Sequence, residues 1–377
     1  MFAGAKLRGM SSERWDVFCR VVDNYGDAGV CWRLARQLAT EHGCDVTLWI
    51  DRLETLAQLQ PAVDIEAARQ TVAGITIARI VDDAAPPPLP AVVIEAFACG
   101  LPPPYVAAMA DAPTPPLWIA LEYLSAEPWV DTVHGLASPQ PRLPLERYFW
   151  FPGFTHHTGG LIREAHLLEA RAAFQDDRVD DGTLQILLFC YPNRALTALF
   201  GAWSEGDERV CCTIPEGVGT GALDRWLRGD VPHAGQSTVR GRLTLDLIPF
   251  STQDAFDRRL WSSDVNFVRG EDSFVRAQWA ARAFVWQPYP QDANGHRLKL
   301  DAFLARYTAE LPSRASVAVT AFWNAFNDED GTAAVAAWPA FRASFDTLGG
   351  HGRRWAETLA ALPELTAGLV TFAGRQL

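Results

Sequence analysis

The sequence predicts an α/β protein of two successive doubly wound, Rossmann-like units that ends in a helical C-terminal segment. Three observations carry this reading. Short apolar runs alternate with stretches of helical period from Trp15 onward, the alternation restarts at Leu184, and the C-terminal stretch is helical in pattern without strands. Strands separated by helices pair in parallel, because each helix carries the chain back to the edge where the last strand began. Residues 15–22 read as the first strand and 28–40 as a helix that stops near Gly43. Residues 45–50 form the next strand and a helix follows from Arg52. Residues 91–97 and 117–121 complete the clearest strands of the first half. The proline triplets at 86–88 and 102–104 are rigid connections.

A helix-like stretch at 161–174 and a polar run at 175–182 lead into the second unit. Its strands read at 184–191, 209–214, 243–250, 265–268 and 283–289, each separated by a helical segment. Beyond them Trp323, Phe326, Trp338, Phe341 and Phe345 recur at helical spacing and are assigned to the core, not to a ligand site. The chain thus divides into a flexible leader at 1–14, an N-terminal domain at 15–170 joined by a C-terminal helix at about 355–377, and a C-terminal domain at 180–350. Two such domains facing a cleft are the architecture of the GT-B glycosyltransferases, with ligands outside the carboxyl ends of the strands. Architecture alone does not decide the chemistry.

The 377 residues are 49% hydrophobic and 21% charged, with a formal net charge of −12. Phosphate backbones require a basic face, so this balance argues against nucleic acid as a partner and suits a basic protein surface better. No apolar run approaches the roughly 18 residues that cross a bilayer, and the first residues lack the apolar stretch of a signal peptide. The expectation is a cytoplasmic protein, monomeric and without membrane contact. The 7 cysteines include no Cys-x-x-Cys pair and mostly sit in apolar runs, which reads as reduced thiols, not as a disulfide framework or zinc site.

Two strand-to-helix turns carry candidate chemistry. The first, Asp23-Asn24-Tyr25-Gly26-Asp27, lies where a dinucleotide fold would place Gly-x-Gly-x-x-Gly. Only Gly26 and Gly29 are present, which disfavours an oxidoreductase. Two carboxylates four residues apart would repel a diphosphate and point to an acceptor site or a catalytic base. The plainer alternative is that Asp23 ends the strand and Asp27 caps the helix. The second turn, Arg269-Gly270-Glu271-Asp272-Ser273-Phe274, follows a strand and opens a helix. Its free amides, with Arg269 and the Ser273 hydroxyl, suit an anion, while Glu271 and Asp272 suit either sugar hydroxyls or any helix start. In the same half Phe189, Tyr191 and Phe250 can stack on a nucleobase and Gln253 can read its edge, although singly each is an ordinary core or cap residue. The acidic run Asp328-Glu329-Asp330 is placed in a loop between C-terminal helices, and no metal site is expected.

Taken together, Asp23 to Asp27 with Gly29-Val30-Cys31-Trp32-Arg33-Leu34-Ala35-Arg36, and Arg269 to Phe274 with Arg276-Ala277-Gln278-Trp279, resemble the EarP family. The segment Trp286-Gln287-Pro288-Tyr289-Pro290-Gln291 is similar to that family too, and the resemblance runs over essentially the whole chain from Trp15. It implies an inverting, metal-independent transfer of L-rhamnose from dTDP-β-L-rhamnose to one arginine of translation elongation factor P. No cofactor is implied beyond the donor substrate. By the same resemblance Asp27 is the general base, Asp23 its companion carboxylate gripping the guanidinium, and Glu271 a third residue needed for activity. Arg269, Asp272 and Ser273 would hold the diphosphate and sugar of the donor. Phe189 and Phe250 would sandwich thymine, with Tyr191, Gln253 and Tyr289 lining the pocket. The rivals are a GT-B transferase with another nucleotide sugar and a non-protein acceptor, and a non-catalytic nucleotide-binding regulatory protein.

Overall fold

The computed structural model describes residues 13–174, 181–291 and 294–377. The chain forms two compact units, Met1–Ala165 with Ala360–Leu377, and His166–Leu359. The leader expected at 1–14 lies outside the described residues as far as residue 12, and Arg14 already belongs to the first strand.

Unit 1 runs β1 (Arg14–Cys19), α1 (Asn24–His42), β2 (Asp45–Ile50), α2 (Leu53–Leu59), β3 (Arg69–Val72), β4 (Ile75–Arg79), β5 (Val92–Ala96), α3 (Pro103–Asp111), β6 (Leu117–Leu121), α4 (Val130–Val133), β7 (Ala137–Pro139) and β8 (Glu146–Trp150). These strands form one sheet in the order β3-β4-β2-β1-β5-β6-β8-β7, parallel except for β3 and β7 at its edges. β5 and β6 are buried along their whole length, as expected of near-continuous apolar strands in a parallel sheet covered on both faces. The strand order reverses between β1 and β5, so the loops leaving these two strands diverge and open a crevice at their carboxyl ends.

Unit 2 runs α5 (Leu167–Ala173), β9 (Leu184–Leu188), α6 (Ala195–Glu205), β10 (Val210–Pro215), α7 (Thr220–Leu227), β11 (Gln236–Arg240), β12 (Leu243–Ile248), α8 (Gln253–Ser262), β13 (Val265–Arg269), α9 (Asp272–Ala280), β14 (Ala283–Gln287), α10 (Gly295–Thr308), α11 (Ser313–Asn327), α12 (Gly331–Arg342) and α13 (Phe345–Ala360). Its sheet has the order β11-β12-β10-β9-β13-β14, with only β11 antiparallel. The aromatics of the C-terminal helices are core, as expected: Trp323, Phe326 and Phe341 are fully buried, and Phe322 stacks on Phe341 at 4.6 Å. The last helix, α14 (Leu365–Gln376), returns to unit 1, where the Thr366 hydroxyl donates to Gln37 Oε1 at 2.9 Å. Gly160, at φ +71°, admits this return, since a Cβ there would lie 1.7 Å from the Pro363 carbonyl oxygen.

Several boundaries differ from expectation for physical reasons. β1 ends at Cys19, three residues before 22, because the next amides bond to carboxylates instead of strands: Val21 N donates to Asp51 Oδ1, and Val22 N and Asp23 N donate to Asp27 Oδ2. The helix then starts at Asn24, not at 28, so both candidate aspartates lie at its beginning. Of 161–174 only Leu167–Ala173 is helical. Edge strands β3, β7 and β11 went unread because they are short, polar or half exposed and carry no apolar signature. All the cysteines are free thiols, and among the described residues no helix is long and apolar enough to cross a membrane.

Candidate functional site

In unit 1 the chemistry sits where β1, β5 and β6 end. Asp23 is the N-cap residue of α1 and is buried, with 5% of its surface exposed. Gly26 makes room for it, because a Cβ there would lie 2.4 Å from Asp23 Oδ2 and would push this carboxylate aside. Asp27, only 2% exposed, reaches back one turn: its Oδ2 accepts the amides of Val22 and Asp23 at 2.8 Å each. Its Oδ1 accepts the Tyr123 hydroxyl at 3.2 Å. Burial raises the Asp27 carboxyl above its usual range, the three hydrogen bonds oppose that rise, and nearby Asp51 adds to it. Burial is the largest of these effects, so the carboxyl holds its proton more firmly than an exposed aspartate does. Asp27 thus binds the two amides just before the helix with one oxygen, not the first amides of the helix itself, and presents the other oxygen to a tyrosine.

In unit 2 the corresponding chemistry leaves β9, β12 and β13. Arg269 ends β13, and its guanidinium lies 4.4 Å from the Phe189 ring centroid and 5.0 Å from that of Tyr191. One of its nitrogens donates to the Cys190 carbonyl at 3.2 Å, so the fork is aimed before any ligand arrives. Gly270, at φ +58°, makes the turn, and β14 pins it: Gly270 N donates to the Gln287 carbonyl at 3.0 Å and Trp286 Nε1 donates to the Gly270 carbonyl at 2.7 Å. The Ser273 hydroxyl donates to the Arg269 carbonyl at 2.6 Å and accepts the Arg269 amide at 3.0 Å, so here it closes the turn. Glu271 is the N-cap of α9, and Asp272 in its first turn accepts Gln253 Nε2 at 3.2 Å.

The expected base pocket is assembled in part. Phe189 and Phe250 have centroids 6.4 Å apart but planes inclined by 58°, so they do not yet form the near-parallel slot that holds a base on both faces. Tyr289 meets Tyr191 edge-on at 5.7 Å. Phe256, 5.1 Å from Phe189, and Gln287, whose Oε1 accepts the Tyr191 amide at 2.9 Å, also build this wall. Neither had been singled out for such a role. Tyr123 was missed as well: a tyrosine two residues beyond a strand carries no local motif, and only the fold brings it to Asp27.

The run Asp328-Glu329-Asp330 is committed elsewhere. Asp328 pairs with Arg297 at 2.8 Å, Glu329 with Arg194 at 2.9 Å, and Asp330 caps α12. Among the described residues no three His, Cys, Asp or Glu side chains converge as a metal site would require.

The family model described as Elongation-Factor P (EF-P) rhamnosyltransferase EarP matches residues 15–374. A protein-arginine rhamnosyltransferase of Pseudomonas putida is 46% identical over 372 residues, covering 95% of this chain and 98% of its own. Its namesake from Pseudomonas aeruginosa is 42% identical over 371 residues, covering 95% and 98%. A solved structure described as the structural basis for EarP-mediated arginine glycosylation of translation elongation factor EF-P has a TM-score of 0.68 and 33% identity, covering 97% of this chain and 100% of that one. Phytolacca americana UGT2, at 9% identity, a TM-score of 0.52 and coverage of 97% and 99%, shares the fold alone. The chain shares the GT-B fold of these neighbours, and a match running from β1 to the last helix shows that it belongs to the EarP family of glycosyltransferases.

Proposed function

We propose that this protein transfers L-rhamnose from dTDP-β-L-rhamnose to one arginine side chain of translation elongation factor P in the cytoplasm, with inversion at the anomeric carbon. The observation that carries the proposal is Asp27, a buried carboxylate at the carboxyl end of a parallel sheet, fixed by two backbone amides at 2.8 Å. The names of the relatives support the sugar and the arginine, and the solved relative supports the acceptor protein. The acid excess of the chain suits a basic acceptor surface.

A free guanidinium has a pKa of about 12.5–13.8, too high for a carboxylate to deprotonate outright. In this proposal Asp23 and Asp27 instead bind the guanidinium and orient one nitrogen toward the anomeric carbon. That nitrogen attacks from the face opposite the leaving dTDP, the C–N bond forms as the C–O bond breaks, and Asp27 takes the N–H proton in the transition state. The negative charge that grows on the departing diphosphate is met by Arg269 and the first amides of α9, which are oriented before the reaction. Glu271 and Asp272 accept sugar hydroxyls, Ser273 holds the turn, and Phe189, Phe250, Tyr191, Gln253 and Tyr289 hold thymine. The donor is a substrate, and no separate cofactor is part of the scheme.

The test is mass spectrometry of elongation factor P incubated with the enzyme and dTDP-β-L-rhamnose. One deoxyhexose on a single arginine supports the whole proposal. No modification, with dTDP still raising the melting temperature, keeps the donor site and rejects the acceptor. No effect of dTDP either rejects both substrates.

A further inference from the structure

The loop that leaves β5 is strained in a way the acceptor chemistry above does not use. Phe97 and Ala98 both stand in the left-handed region, at φ +59° and +51°, and Gly100 follows at +73°. Two consecutive residues with side chains in that region are costly and persist only where the surroundings impose them. The surroundings here are explicit. Phe97 N donates to the Leu121 carbonyl at the end of β6, at 2.7 Å. Gly100 N donates at 3.0 Å to Glu95, a buried carboxylate that also takes Trp118 Nε1 at 3.1 Å and Arg147 at 3.2 Å. The consequence of the strain is a placement: the Phe97 ring lies flat on the Tyr123 ring, with centroids 4.4 Å apart and planes 16° from parallel. Tyr123, so backed, donates its hydroxyl to Asp27 Oδ1.

We infer that Tyr123, held against the strained Phe97, is a positioning residue that sets the orientation and proton affinity of the Asp27 carboxylate. The inference rests on the proposed role of Asp27 as the base. Two amides of the turn after β1 hold Oδ2, and that oxygen is spent; Oδ1 is steered by a neutral donor that arrives from the loop after β6. Besides Tyr123, the ionisable groups that act on this carboxylate are Asp51 after β2 and Cys19 at the end of β1, while Asp23 acts through its backbone amide. Hydrogen bonding to Cys31 and burial keep the Cys19 thiol neutral. Among these side chains Tyr123 is thus the one that favours the charged form of Asp27 by donating to it. When the guanidinium arrives, the same hydroxyl keeps Oδ1 in one place while the proton is transferred.

The experiment uses the full-length enzyme with dTDP-β-L-rhamnose and elongation factor P, and follows kcat, both KM values and the pH profile of kcat/KM. Tyr123→Phe keeps the ring and its stacking and removes only the hydroxyl. Its kcat should fall about tenfold or more, as for a lost hydrogen bond to a charged group, with the donor KM unchanged. The acid limb of its pH profile should move to higher pH, because the carboxylate loses a donor that stabilises its ionised form. Phe97→Ala leaves the hydroxyl but removes its backing, and should give a smaller loss with a shift in the same direction. A wild-type rate and profile in both variants overturns the inference. So does a lower rate with an unshifted profile, which would mean a structural role, or a rise in acceptor KM alone, which would mean acceptor binding. Asp27→Asn, measured alongside, separates the two levels: an active Asp27→Asn enzyme removes the base itself, whereas an inactive one beside an unaffected Tyr123→Phe removes only this inference.

Discussion

Asp27→Asn removes a proton acceptor while nearly preserving shape, and the surroundings show what else it changes. An asparagine whose carbonyl oxygen takes the place of Oδ2 keeps both amide hydrogen bonds from Val22 and Asp23. Its NH2 group then faces the Tyr123 hydroxyl, which can accept where it formerly donated. The fold loses the charge-assisted part of these bonds and is relieved of burying a carboxylate, so unfolding free energy should change by less than about 2 kcal/mol. Catalysis loses a positioned general base, worth about 10²–10⁴ in rate or about 2.7–5.4 kcal/mol of barrier. The assay is single-turnover transfer at saturating donor read by intact mass, beside thermal unfolding with and without dTDP. The expected result is a collapse of the transfer rate with a near-normal melting temperature and an undiminished dTDP shift, since the residues proposed to bind the donor belong to unit 2. Transfer within tenfold of wild type would refute the base assignment, and loss of the dTDP shift would refute the division of labour between the units.

Gly26→Ala should cost about 10²-fold in transfer, as a misplaced reacting group does, because its Cβ would lie 2.4 Å from Asp23 Oδ2; a normal rate would show that the Asp23 position is unimportant. Asp257→Ala removes the carboxylate paired at 2.6 Å to Arg276, whose guanidinium is 2% exposed, and so takes away a counter-charge from a buried cation. Urea unfolding should show a loss of about 3–5 kcal/mol, and a loss below about 1 kcal/mol would refute that account. Asp16, in mid-β1, has its carboxyl raised by burial despite the Tyr105 hydroxyl donating to it at 2.6 Å. Its folded form therefore holds a proton more firmly than its unfolded form, and this stabilisation is present at low pH and lost as pH rises through the folded value. Melting temperatures across pH 4 to about 8 should fall less steeply for Asp16→Asn than for the wild type, and parallel curves would refute the assignment.

The parts of the fold that could be read from sequence are those whose signal is local. β5, β6, β9 and β14 are parallel strands buried over most or all of their length and therefore mostly apolar runs, interrupted only by Glu95, Gln185 and Gln287 and legible without any partner. β3 and β11 pair on one side only, need no apolar face, and are Arg-Gln-Thr-Val and Gln-Ser-Thr-Val-Arg; nothing in such runs distinguishes an edge strand from a loop. The same division holds at the site. Asp23, Asp27 and the turn from Arg269 to Ser273 stand out because strand, glycine and helix start are adjacent in sequence. Tyr123 is 96 residues from Asp27 and Phe256 is 67 from Phe189, so those contacts exist only once β6 and α8 are in place. Even where the residue was legible, its use of each atom was not. Capping and catalysis were posed as alternatives for Asp27, yet a carboxylate has two oxygens, and here the amides take one and the tyrosine takes the other. Anchoring one oxygen removes most of the side chain's freedom, so the second oxygen is held in position as well. The reach-back hydrogen bonds are thus compatible with the proposed base role of Asp27 and do not compete with it.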